Sequence, residues 1–314
     1  MNLEQLRGFA EVASTGHFTR AAERLHLAQP SLSKQIAGLE AELGVELFHR
    51  ARGNVSLTAA GERLLPIARR MLVDAEAARD EMADLSGLRR GRIRLGATPT
   101  LCTSLVVEVI AEFHERYPGI DIEILERGSR SLIDELADGM LDLALIVTSV
   151  SSGTARAVLE REPILSERLV LVSSAEGPEL FPAGVPGDLE ALAAVPQVIF
   201  PENYDLRVAV DAAFRGRGLT PAAAVSGVEM DAALRFAERG IGAAIVPAMV
   251  AVDRPGLRTY PLADPALART VSIARRADMA LTDAAAALQD VIRSVADRLI
   301  GTDSAVTGLV SRAR

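Results

Sequence analysis

The stretch Phe9 to Gly61, FAEVASTGHFTRAAERLHLAQPSLSKQIAGLEAELGVELFHRARGNVSLTAAG, decides the fold of the N-terminal part. Leu3, Leu6, Phe9, Ala10 and Ala13 recur at helical spacing and stop at Gly16, a residue suited to the left-handed conformation that follows a helix end. A second helix is expected with Thr19 as its N-cap and Ala21, Ala22 and Leu25 facing inward. After the short link His26 to Gln29, Pro30 sits in the first turn of a third helix. Its apolar face is Leu32, Ile36, Leu39 and Leu43, and Gly44 ends it. A short helix, a tight turn and a longer helix make a helix-turn-helix. Val45 to Thr58 adds two β-like runs around Ala51-Arg52-Gly53-Asn54, a hairpin that reads as a wing.

The third helix places polar side chains opposite its apolar face: Gln29, Ser31, Ser33, Lys34 and Gln35. Gln can make a bidentate pair with adenine, serine can reach a base or a phosphate, and lysine can reach guanine or a phosphate. Arg50 and Arg52 on the wing are placed for phosphates or the minor groove. Any one of these residues alone would read as an ordinary solvated group. Their joint placement on one winged motif points to double-stranded DNA. Ala28 offers no hydroxyl at the N-cap position, so the start of this helix is expected to be weakly capped.

Past Thr58 the apolar residues Leu64, Ala68, Met71, Ala75, Ala78, Met82 and Leu85 alternate spacings of four and three, a heptad seam that wants a partner helix. The helix is expected to run for ~40 Å, with a bend near Glu62 caused by Pro66. Gly87, Arg89, Arg90 and Gly91 then read as a hinge. Beyond it strands and helices alternate: Ile93 to Ala97, helix Leu101 to Arg116, Ile120 to Leu125, helix Ser131 to Ala137, Asp142 to Val147. This order implies right-handed crossovers and a mostly parallel sheet. A second unit begins near Ile164, and Val271 to Ala274 and the helix Asp283 to Leu299 follow it.

Composition sets the outer limits. The 314 residues suffice for two or three domains, and the net charge of −8 falls wholly after residue 90, so the acidic average hides a charge-balanced N-terminal module. The opening MNLEQLRGFAEV lacks a basic segment followed by an apolar one, and no apolar run approaches the ~20 residues a membrane helix needs. A cytoplasmic protein without a membrane partner is expected. One cysteine, Cys102, cannot form an internal disulfide.

With these residues in order, the segment Phe9 to Gly61 strongly resembles the winged helix-turn-helix of LysR-type transcriptional regulators. GRIRLGATPT (91–100), RGSRSLIDELADGMLDLALIV (127–147) and RFAERGIGAAIVP (235–247) are similar to later segments of the same family. The resemblance spans about residues 1 to 300. It implies an α/β protein with an N-terminal α-helical winged helix-turn-helix (1–58), a long linker helix and hinge for dimerisation (59–90), and a two-lobed periplasmic-binding-protein-like effector domain (91–301). The first lobe is expected from 91–161 and 268–301 and the second from 162–267, with 302–314 a disordered tail. It further implies DNA contacts by the third helix, Pro30 included, a dimer through the linker helix, a tetramer as the working state, and RNA polymerase as a further partner.

Ligands of parallel α/β sheets bind at the carboxyl ends of strands, where helix N-termini offer free N–H groups. Thr98-Pro99-Thr100 and Gly128-Ser129 occupy such places, and the resemblance adds Val147, Thr148, Phe200, Pro201 and Met230 around an inter-lobe cleft. A small organic anion is the expected effector. Arg127 stays open between ligand contact and surface, and the alternative for Thr98, Thr100 and Ser129 is plain helix capping. Some relatives sense peroxide with two cysteines. Cys102, beside Leu101 and Leu105, reads instead as a small core residue.

Two other classes compete. A solute-binding protein of a transport system would share the two-lobed part but not the winged motif. An enzyme would need a catalytic set, and His17, His26, His49 and His114 are scattered, with no HExxH, nucleophile elbow or phosphate loop. Gly240-Ile241-Gly242 follows a helix and reads as a turn. No metal, cofactor or catalysis is expected. The expected mechanism is a population shift, in which the effector reorients the lobes and the hinge passes the change to the DNA-binding heads.

Overall fold

The computed structural model describes residues 1–51, 54–84, 91–147, 159–182, 184–202, 204–264, 267–301 and 306–313. The first helix, α1 (Leu3–Thr15), starts in a capping box, with Asn2 Oδ1 accepting from the Gln5 N–H and Gln5 Oε1 from the Asn2 N–H, and ends at Gly16 with φ +65°. α2 (Phe18–Arg24) begins two residues earlier than expected, at an N-cap of His17. The turn is braced by the Thr15 hydroxyl donating to the His17 carbonyl at 3.1 Å, which leaves Thr19 inside the first turn. α3 (Gln29–Leu43) has no side-chain cap at Ala28 and stops at Gly44, φ +71°. β1 (Phe48–Ala51) and β2 (Asn54–Leu57) form the antiparallel wing.

Leu6, Phe9, Val12, Leu32, Ile36, Leu39 and Phe48 are buried together in this module. The Phe48 ring lies 5.3 Å from Phe9 and 5.8 Å from Phe18. Helices α1 and α3 approach closely because Gly8 has no side chain: a Cβ there would stand 2.7 Å from Leu32 Cδ1.

The linker helix α4 (Ala59–Asp84) is continuous through Pro66. Its seam corrects the sequence reading. Ala68 is fully buried in the winged module's own core, and Leu64 packs against that core. The same stripe therefore serves two purposes, and its first positions are spent within the chain. Met71 and Ala78 are exposed and Ala75 is half-buried. Met82 lies on the helix, while Leu85 and the hinge residues Gly87, Arg89 and Arg90 lie outside the described residues.

The C-terminal part opens with β3 (Gly91–Ala97), α5 (Pro99–Cys102) and α6 (Leu105–Arg116). The single helix expected from Leu101 is thus broken at Thr103 and Ser104, where the Ser104 hydroxyl donates to the Thr100 carbonyl at 2.7 Å. β4 (Ile120–Glu126), α7 (Ser129–Ala137) and β5 (Leu143–Val147) complete a parallel trio in the order β4, β3, β5. β6 (Leu159–Ser174) is a 16-residue strand that serves both lobes.

The second lobe continues with α8 (Leu189–Ala194), β7 (Gln197–Ile199), α9 (Asp205–Arg215), β8 (Ala223–Ser226), α10 (Met230–Glu238), β9 (Ala244–Pro247), α11 (Ala248–Ala251) and β10 (Leu257–Pro261). β11 (Ala268–Arg276) and α12 (Asp283–Ile300) return to the first lobe, and β12 (Val310–Ser311) ends the chain. Residues Leu159 to Arg168 of β6 pair with β11, whereas Leu169 to Ser174 pair with β9 and β10. Leu165 belongs to the first lobe's core and Leu169 to the second's. The outgoing crossing therefore falls between Arg168 and Leu169, not after residue 161, because one unbroken strand spans both sheets.

The tail is also corrected. Val306 and Val310 are buried in the first lobe's core, Val310 is in register with Glu167, and the Arg168 N–H donates to the Leu309 carbonyl at 2.8 Å. These apolar residues cover the edge of β6 that β11 leaves open.

Candidate DNA-reading face and effector cleft

On α3, Gln29, Pro30, Ser31 and Lys34 are exposed and Ser33 is half-buried, its hydroxyl accepting from Gln29 Nε2 at 3.0 Å. Buried Leu32, Ile36 and Leu39 fix the rotation of the helix, so this polar face turns outward. Gln35 departs from the sequence reading: it is half-buried, and its Oε1 is enclosed beside Gly8 without a hydrogen-bond partner among the described residues. A residue three positions after Leu32 lies at the border of the buried stripe, which one helix turn's spacing does not separate from the outer face. The Arg50 side chain and Arg52 lie outside the described residues.

The cleft is built where β3, β4 and β5 end. Thr98 holds the N-cap position of α5, yet its hydroxyl makes no capping bond. It lies 3.5 Å from the Thr100 hydroxyl, and both threonines are buried. Gly128 is the N-cap of α7. Ser129, also buried, accepts from the Val147 N–H at 3.0 Å through its hydroxyl, which ties the end of β5 to the start of α7. Its own N–H donates across the cleft to Asp205 Oδ2 on α9 at 3.1 Å.

Behind Thr100 lies an ion pair that the sequence reading missed. Arg269 Nε donates to Glu167 Oε2 at 2.8 Å, and Nη2 lies 2.7 Å from the same oxygen, too poorly aligned for a second hydrogen bond. Arg269 Nη1 donates to Thr100 Oγ1 at 2.5 Å. Glu167, fully buried, accepts the Met249 N–H on its other oxygen at 2.6 Å. The signal available was a charged residue amid Leu267, Ala268, Thr270 and Val271, a pattern that demands a buried partner.

These groups enclose a cavity of about 80 Å³ lined by Thr98, Pro99, Thr100, Gly128 and Val147 from the first lobe, and by Leu169, Tyr204, Asp205, Leu206, Ala209, Ala268 and Arg269. Phe200, Pro201 and Met230, expected in the lining, stand outside it. The Phe200 ring stacks on Tyr204 at 5.8 Å, the Pro201 carbonyl accepts the Tyr204 N–H, and Met230 is buried in the second lobe's core. The loop after β7 carries the chain onward, so the first turn of α9 fills the position assigned to the strand end. Thr148 lies outside the described residues. Arg127 is exposed, and its Nη1 donates to the Glu126 carbonyl.

Cys102 is half-buried. Burial first, and then the Glu126 carboxylate, push its thiol up to about 12. No group of three or more potential metal ligands occurs among the described residues, and none of their helices is long and apolar enough to cross a membrane.

A winged helix-turn-helix joined by a long helix to a two-lobed domain with a cavity between its lobes defines a DNA-binding regulator with an attached ligand-binding part. Comparison with known proteins gives the family. A family model described as the LysR substrate binding domain matches residues 86–297, and one described as the bacterial regulatory helix-turn-helix protein, lysR family, matches residues 3–62. The chain belongs to the LysR family of transcriptional regulators.

It is 33% identical to the HTH-type transcriptional regulator IlvR of Caulobacter vibrioides, over 95% of this chain and 98% of that protein. It is 32% identical to a probable hydrogen peroxide-inducible genes activator of Streptomyces viridosporus, over 95% and 97%. Among solved structures it is similar to a full-length OxyR variant of Pseudomonas aeruginosa (TM-score 0.73, 26% identity, 100% of this chain and 99% of that one). It is also similar to full-length CbnR complexed with its target DNA (TM-score 0.66, 25% identity, 94% and 100%). The match of residues 3–62 removes the transport reading, and the relatives are regulators, not enzymes.

Proposed function

We propose that this regulator reads operator DNA with Gln29, Pro30, Ser31, Ser33 and Lys34 of α3, aided by Arg50 and Arg52 on the wing, and that a small molecule in the inter-lobe cleft alters that binding. The observation that carries the second half is the cavity in which Thr100 joins Arg269. Glu167 and Arg269 stand on the two strands that pass between the lobes, so a ligand that engages Thr100 touches the hinge of the domain. Binding that favours one lobe arrangement then shifts its population. The linker-helix residues Met71, Ala75 and Ala78, with Met82 and Leu85 of the same heptad spacing, supply the dimer seam. A cytoplasmic tetramer that also meets RNA polymerase completes the reading, in line with the assembly that the family resemblance implies.

The test is a nuclease footprint of the full-length protein on the DNA upstream of its own gene, with and without a saturating compound chosen by thermal-shift screening. A changed footprint length or spacing is expected. Identical footprints would overturn the coupling.

A response to peroxide, suggested by the Streptomyces relative's name, finds no internal thiol pair in these residues. The chain has one cysteine, and its thiol is held protonated.

A further inference from the structure

The charges lining the cleft do not cancel. Among the described residues of the lining, Arg269 and Asp205 carry charge. The guanidinium is already matched by Glu167, which is fully buried behind it. Asp205 forms no ion pair among the described residues; its Oδ2 accepts the Ser129 N–H, and its Oδ1 has no partner there. Two further carboxylates act on the same space. The Tyr204 hydroxyl, which donates to Glu229, is held protonated to unusually high pH by burial, by that hydrogen bond, and by the charges of Glu229 and Glu126. Arg127, next to Gly128, is exposed and turned to the Glu126 carbonyl.

The start of α7 would ordinarily be the place for an anion, since helix N-termini present free N–H groups and a favourable dipole. Here the protein's own Asp205 carboxylate holds the Ser129 N–H. An anionic effector would have to evict that carboxylate or stand beside it, and like charges at such range disfavour each other.

We propose that the effector carries a cationic nitrogen, an ammonium or amidinium group, that pairs with Asp205 Oδ1 while its apolar stem lies against Leu169, Leu206 and Ala209. This replaces the anionic effector expected from the strand-end rule, and it rests on the reading of the cleft as the effector site. Because Asp205 belongs to the second lobe and Ser129 to the first, a cation on Asp205 binds the arrangement in which the lobes meet at this bond.

The experiment uses the full-length protein and its Asp205→Asn variant, titrated with n-butylammonium, butyramide and butyrate at constant ionic strength, with binding read by saturation-transfer NMR. Asparagine keeps the size of the side chain and an acceptor for the Ser129 N–H, and a thermal melt checks that the fold is retained. Butylammonium is expected to bind the parent protein, to weaken by about tenfold or more in Asp205→Asn, and to outbind butyrate. Butyrate binding the parent protein more tightly, or butylammonium binding both proteins equally, would overturn the cationic assignment. If butyramide alone binds, the assignment fails while the cleft stands as a ligand site. Silence from all three probes counts against the cleft itself.

Discussion

The Glu167 carboxylate and the Arg269 guanidinium, 102 residues apart in sequence, meet at 2.8 Å on the two strands that carry the chain between its lobes. Removing one partner leaves a buried charge unmatched. Arg269→Met is therefore expected to destabilise the protein by about 3–5 kcal/mol, the usual cost of breaking such a pair. The double variant Glu167→Leu/Arg269→Met should lose clearly less than the two single changes together. Urea unfolding of the four proteins checks this, and strictly additive losses would show that the pair is not coupled.

Thr100→Val keeps the shape of the side chain but leaves Arg269 Nη1 without its acceptor. An unmet buried donor costs about 1–3 kcal/mol, so a lowered melting temperature is expected. DNA affinity without effector should stay unchanged, while the concentration of any active compound needed for half-response rises about tenfold or more. A full response at the original midpoint would take Thr100 out of the cleft's function.

Lys34 is exposed on α3, and no ion pair holds it among the described residues. If it neutralises one phosphate, Lys34→Ala lowers the magnitude of the slope of log K against log salt by about 1 per protomer. Fluorescence anisotropy across a salt series measures it. An unchanged slope and affinity would remove Lys34 from the interface.

The tail contributes to the first lobe's core through Val306 and Val310. Placing a carboxylate among those side chains is expensive, and Val310→Asp is expected to cost at least ~2 kcal/mol in denaturant unfolding. A variant as stable as the parent would mean that β12 is not docked in solution.

Cys102 has a thiol pKa of about 12, which leaves on the order of one thiolate in ten thousand at pH 8. Alkylation by iodoacetamide in the folded protein should therefore be slow at pH 8 and quicken only as pH climbs toward the raised pKa. Fast labelling of the folded protein at neutral pH would contradict this.

The parts legible in the sequence are those with local periodicity. Leu32, Ile36 and Leu39 orient α3, Gly16 and Gly44 end helices with positive φ, and the strand ends at Ala97, Glu126 and Val147 carry five lining residues of the cavity. What escaped depends on distance along the chain. Nothing near Arg269 names Glu167 as its partner, and nothing near Asp205 shows that closure of the lobes brings it to Ser129. Leu64 and Ala68 fit a dimer seam by spacing, but the same spacing suits packing against the chain's own module, and only the fold decides. Val306, Leu309 and Val310 are too few to show a period at all.

A sequence-selective DNA-binding regulator must prefer its own operator to unrelated DNA. The most direct measurement is the affinity of the purified full-length protein for the DNA immediately upstream of its own gene, over a range of salt concentrations and against an unrelated duplex of equal length. Tight, selective binding with log K falling linearly in log salt is the expected result. Equal affinity for both duplexes at every salt concentration would contradict it.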